Sequence, residues 1–132
     1  MKLWLLIGTV VLLVPQTVLG DNFANTTGTL LSNCELFLKY RTYGVSKPAT
    51  AARVLDCHSY IFGFVDGINA GDGSPLACIP EGVNVLQLVK AFVKWAQFGP
   101  RHFWKQSRQI GVSTAFAATW PCMSKKRTRG TP

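Results

Sequence analysis

The sequence predicts an all-α fold, a small bundle of about four helices held by two disulfides. Three observations predict it. Apolar residues recur at three- and four-residue spacing in four separate stretches, and strand-like alternation is absent. The four cysteines also fall where neighbouring helices would bring them together in pairs.

The first twenty residues carry Lys2, an apolar run from Leu3 through Val14, and Val18 and Gly20 at the small-residue positions before a cleavage point. This is the pattern of a secretory signal peptide, and the run is too short to span a bilayer. Removing those twenty from 132 leaves 112 residues. The expected organisation is a signal peptide over 1–20, one helical domain over 21–122, and a basic, disordered tail over 123–132. An even number of cysteines in a small exported chain points to disulfides. A zinc site is the competing reading, but no pair of Cys34, Cys57, Cys78 and Cys122 has the short ligand spacing, and neither His58 nor His102 sits beside a matching pair.

Asp21 to Gly28 is polar and reads as a leader; its Asn25-Thr26-Thr27 triplet matches a glycosylation acceptor, a pattern common by chance. From Thr29, a cap residue, Leu30, Leu31, Cys34, Phe37 and Leu38 define the buried face of helix one, which ends near Tyr40. After a loop with Gly44, Ser46 and Pro48, Thr50 is expected to cap helix two, which runs to Gly71 with Cys57, Ile61, Phe64 and Ile68 on one stripe. Gly63 and Gly67 form a strip without side chains on the same helix, which predicts close crossing by another helix.

The turn formers Gly71 to Pro75 lead to Cys78 and to helix three, from about Val83 to Phe98. Its inner face is Val85, Leu88, Val89, Phe92 and Ala96; Asn84, Gln87, Lys90 and Lys94 lie outside. Gly99-Pro100 ends it, and helix four is expected to run unbroken from about Pro100 to Ala118 with Phe103, Ser107, Ile110, Thr114 and Ala117 inward. Helices one and two should form an antiparallel hairpin with Cys34 facing Cys57. By the same geometry Cys78, before helix three, meets Cys122, after helix four. Each link adds roughly 3 to 4 kcal/mol on chain-entropy grounds.

The formal net charge is +8. Without Lys2, thirteen Lys and Arg stand against six Asp and Glu, and four of the thirteen are Lys125, Lys126, Arg127 and Arg129 in the tail. The body is therefore only +3, no electrostatic footprint for nucleic acid. His58 and His102 come without a nucleophile elbow or an acidic partner at a telling spacing, and paired cysteines offer no thiolate. Asp56 and Glu81 read as acids near helix N-termini. The chain reads as a non-enzyme without cofactor or metal.

The run Cys57-x-x-Tyr60-Ile61-x-Gly63-x-x-Asp66-Gly67, then Cys78-Ile79-Pro80-x-Gly82-Val83, Gln87-Leu88-Val89, the Gly99-Pro100 break and Trp120-Pro121-Cys122 resembles the type VI amidase immunity (Tai) family, also called resistance-associated immunity proteins. The resemblance covers about Thr29 to Cys122. It implies a periplasmic helical protein, often a homodimer, that binds and blocks a peptidoglycan amidase effector delivered by type VI secretion. An acid-stress chaperone of the HdeA type is the alternative, but six acids and two histidines give little charge lever on acidification. An inhibitor of a groove enzyme needs a rigid protruding element. The expected partner site is the turn after helix two, with Asp66, Asn69, Gly71, Asp72, Gly73 and Ser74, rimmed by Gln87, Lys90 and Lys94 of helix three.

Overall fold

The computed structural model describes residues 25–40, 44–71 and 76–123. The expected signal peptide, the basic residues of the tail and the Asp72-Gly73-Ser74 stretch lie outside the described residues. Four α-helices and one 3₁₀ segment follow in order: α1 Thr27–Tyr40, α2 Pro48–Ala70, α3 Val85–Phe98, the 3₁₀ segment Arg101–Lys105, and α4 Arg108–Thr119. The all-α expectation holds, with an isolated antiparallel bridge from Thr26 to Ser107 and no strand among the described residues. No described helix is long and apolar enough to cross a membrane.

Local chemistry sets each helix start. The Thr26 hydroxyl accepts from the Thr29 backbone N–H at 3.2 Å, so α1 begins two residues before the expected point and Thr29 is not its cap. In α2 the start falls to Pro48, whose fixed φ and missing N–H suit the first helical position; Thr50 lies inside the helix. Asn84 and Gln87 form a reciprocal capping box, the side chain of each accepting from the other's backbone N–H at 3.0 and 2.9 Å, and this fixes Val85 as the first residue of α3.

The expected fourth helix is broken. The carbonyl of Gln106, which a continuous helix would use internally, is turned toward the start of α1, and that of Ser107 is shared between α1 and Gly111 N–H of the new helix. Thr27 donates its backbone N–H to Gln106 O at 2.8 Å and its hydroxyl to Ser107 O at 2.9 Å. Arg108 N–H donates back to Asn25 O at 3.3 Å. The Thr27 hydroxyl of the glycosylation-type triplet is thereby buried and engaged. After the break Ser107 caps α4, and the helix restarts with a different face inward: Arg108, Gly111, Val112, Ala115 and Phe116 are buried. Ile110, placed inward by the sequence pattern, is 44% exposed.

At the centre lies α1, which touches all three other helices and the 3₁₀ segment. Its Leu30, Leu31 and Cys34 meet Cys57 and Ile61 of α2, Leu88, Val89, Phe92, Val93 and Ala96 of α3, and Val112, Ala115 and Phe116 of α4 in one core. Trp104 of the 3₁₀ segment donates its indole N–H to Ala96 O at 2.9 Å. Both expected disulfides are formed, Cys34–Cys57 and Cys78–Cys122, with Cα–Cα distances of 5.0 and 4.9 Å.

Close approach between elements occurs at Gly111 and, less tightly, at Gly28, and not at the two glycines that the sequence suggested. A Cβ at Gly111 would lie 2.3 Å from Thr27 Oγ1, a side chain held by its own hydrogen bonds. A Cβ at Gly63 or Gly67 would meet nothing within 4 Å, so no described helix crosses there. Gly111→Ala should therefore destabilise the protein by about 1–3 kcal/mol through overpacking. Gly63→Ala should stabilise it by about 0.5–1 kcal/mol through helix propensity and reduced unfolded-state entropy. Urea denaturation of both variants checks this pair of opposite signs.

Candidate functional site

α2 is anchored by one side and bare on the other. Cys57 and Ile61 are fully buried against the core, whereas Leu55, Ser59, Phe62, Gly63, Asp66 and Gly67 are exposed. α2 reaches α4 through an ion pair, Arg108 Nη1 to Asp56 Oδ1 at 2.9 Å, and through an edge-on contact of the Phe64 and Phe116 rings at 6.0 Å. Beside these contacts a groove of about 490 Å³ opens on the surface. Tyr60, Phe64 and Ile68 give it apolar lining, Gly63 and Gly67 expose bare backbone to it, and Leu76, Ser59 and Gln109 complete its walls.

Under the groove lies a polar network that ties three helices together. Asp56 accepts from Arg108 on one oxygen and from Asn33 Nδ2 at 2.8 Å on the other. Asn33, fully buried, accepts in turn from Arg53 Nε at 2.7 Å, and Arg53 also donates to the Ser32 hydroxyl. Asp56 is thus an ion-pair partner in the middle of α2, and neither it nor Glu81 sits in the first turn of a helix, contrary to the dipole reading. The Arg108 guanidinium stands 4.9 Å from the Tyr60 ring centroid, a cation–π arrangement. Burial pushes the Tyr60 phenol above its ordinary value; the Arg108 charge opposes the shift and the Asp56 carboxylate adds to it.

The expected partner residues fall into separate places. Asp66, Asn69 and Gly71 are exposed at the end of α2, next to the groove, while Asp72, Gly73 and Ser74 are outside the described residues. Gln87 is exposed, with its side-chain oxygen closing the α3 capping box. Lys90 and Lys94 are exposed on α3. Lys94 lines a second groove, of about 440 Å³, with Trp95 and Phe98 of α3 and Ala118 of α4. The α2 groove and the α3 lysine therefore do not share one concavity. The sequence pattern placed Phe64 and Ile68 on the packing stripe of α2; the glycine strip beside them was the signal that this face is special.

Neither histidine has the surroundings of a catalytic base. His58 lies between the rings of Phe37 and Phe62, at 6.0 and 6.2 Å, and His102 rests on Phe103 at 4.4 Å. All four cysteines are paired, and no cluster of three or more metal-type ligands occurs among the described residues.

A family model described as Rap1a immunity proteins matches residues 26–122, from the threonine that caps α1 to the last cysteine. The chain belongs to this family. The immunity-protein resemblance carried by the Cys57 to Cys122 motifs is met at that level, and the Rap1a family places the chain among the immunity proteins of bacterial effector and immunity systems. No curated protein and no solved structure matches the chain.

The raised Tyr60 value predicts how this Rap1a protein responds to alkali. Folding favours the protonated phenol, so the stabilisation is complete below the ordinary value of 10.0 and is lost as pH rises through the folded value. Stability should therefore fall above pH 10, and Tyr60→Phe should flatten that fall. Urea midpoints measured from neutral to alkaline pH for the two proteins check it.

Proposed function

We propose that this protein is an exported, periplasmic immunity protein that binds and inhibits a peptidoglycan amidase delivered by type VI secretion. The observation that carries the reading is the Rap1a family match, which spans the whole of the four-helix fold. Two disulfides, one of them with both cysteines fully buried, fit an oxidising compartment. The protein acts by occupying its partner and not by chemistry of its own.

An amidase holds an extended peptide in a cleft, and a rigid protrusion can fill that cleft while a surrounding surface excludes water. In this reading Asp66, Asn69 and Gly71 at the end of α2, together with Asp72, Gly73 and Ser74 that follow them in sequence, are the residues that engage the cleft. The α2 groove supplies the surrounding surface, taking apolar side chains of the effector against Tyr60 and Phe64. Lys90 supplies a cationic flank on α3, and Lys94 faces the second groove.

The test is whether a small cysteine/histidine amidase is encoded beside this gene, whether it co-purifies with this protein, and whether this protein rescues cells that carry that amidase in the periplasm. Gly63→Leu replaces glycine by a better helix former and fills the groove, and should weaken the complex by roughly tenfold or more. Deletion of residues 71–74 should abolish binding while the helical circular dichroism is retained. Failure of rescue by the well-expressed wild-type protein counts against the reading.

A homodimer is the second part of the proposal. Phe98 is 84% exposed and stands at the edge of the groove that Ala91, Trp95 and Ala118 line. Knob and hole thus share one face, as a two-fold interface requires. Phe98→Ser should convert a dimer to a monomer in sedimentation velocity, and a monomeric wild-type protein removes this part.

A further inference from the structure

We propose that Cys78–Cys122 is a thiol–disulfide exchange site, opened by a dithiol partner while Cys34–Cys57 stays closed. The two bridges sit in opposite environments. Cys34 and Cys57 have no exposed surface at all and lie in the core between α1 and α2. Cys78 and Cys122 are both exposed, and so are their neighbours Leu76, Pro80, Pro121 and Met123. Exchange requires a thiolate to reach a sulfur, so access separates the two bonds before any difference in intrinsic strength.

The exchange balances with a dithiol alone. One thiolate of the dithiol attacks a sulfur of the Cys78–Cys122 bond; that bond breaks, and the other cysteine leaves as a thiolate and takes up a proton. The second thiol of the dithiol then attacks the mixed disulfide and releases the remaining cysteine. The protein disulfide is reduced to two thiols, and the dithiol is oxidised to its own disulfide. A partner of this chemistry is a dithiol oxidoreductase whose reactive cysteine sits on an exposed loop.

Opening the bond frees a defined part of the molecule. The connector before α3 is tied to the end of α4 by the disulfide and by Cys78 N–H donating to Trp120 O at 2.9 Å. The bundle is held elsewhere, by Leu30, Ile61, Phe92, Val112 and Phe116, each fully buried. Reduction therefore removes the covalent tie between the connector that carries Leu76 and the chain around Trp120, both of which keep apolar contacts with the core through Ala77 and Trp120, and leaves the four helices packed. This chemistry belongs to the chain itself and is independent of what the α2 groove binds.

Graded dithiothreitol treatment of the full exported chain, alkylation with iodoacetamide and peptide mass spectrometry test the assignment. Cys78 and Cys122 should be alkylated at a dithiothreitol dose roughly tenfold or more below that for Cys34 and Cys57. Helical circular dichroism should persist at that dose, while Trp120 fluorescence changes. Alkylation of all four cysteines in parallel, or loss of the helical signal with the first alkylation, overturns it. The Cys78→Ser/Cys122→Ser double variant gives an independent check: it should fold with Cys34–Cys57 intact, and an unfolded variant counts against the proposal.

Discussion

The position of Arg108 constrains the rest of the structure. Its side chain is only 8% exposed, and a guanidinium removed from water costs several kcal/mol unless it is paired and hydrogen-bonded. Asp56 supplies the opposite charge, and the Tyr60 ring supplies its face. Asp56 can do this only because Asn33 holds its second oxygen, and Asn33 is itself held by Arg53. Four side chains from three helices are thus fixed relative to one another by directional bonds. Apolar contacts alone would allow α4 to slide on α1 and α2; the network permits one register.

That register explains why the fourth helical segment is not continuous. For Arg108 to reach Asp56, the first turn of α4 must lie close to the first turn of α1. Thr27 achieves this by taking the carbonyl of Gln106, which removes it from any helix through that point, and by sharing the carbonyl of Ser107 with Gly111 N–H, the first bond of α4. Gly111 lets the two backbones approach, since any side chain there would overlap Thr27. The break, the threonine clasp and the glycine are consequences of a single requirement, that a buried cation meet its partner.

Much of the fold was legible because it rests on local rules. The stripes of α1 and α3, the proline and glycine punctuation, and both cysteine pairings follow from periodicity and from helix-hairpin geometry. What was not legible depends on pairs distant in sequence. Nothing near Asp56 announces Arg108, 52 residues later, so the carboxylate looked like a helix-dipole residue. Nothing near Ser107 announces Thr27, so helix four looked unbroken and its inward face was assigned to the wrong stripe. Gly63 and Gly67 were recognised as unusual, but periodicity cannot say whether a bare strip faces another helix of the same chain or solvent. The groove they border includes Leu76 and Gln109, which no spacing rule connects to α2.

The groove follows from the same constraint. With the start of α4 drawn to Asp56 and Phe116 seated against Phe64, the face of α2 between Ser59 and Ile68 is left beside α4 with space over it. Larger residues at 63 and 67 would cover that space and strengthen the helix, because each glycine in a helix interior costs on the order of 1 kcal/mol relative to alanine. No packing contact among the described residues offsets that cost, since both positions are open. Residues that lower stability without serving the fold are the expected mark of a surface shaped for something outside it. The core network and the bare strip therefore have complementary roles: one fixes α2 so that its exposed face keeps a constant shape, and the other keeps that face free.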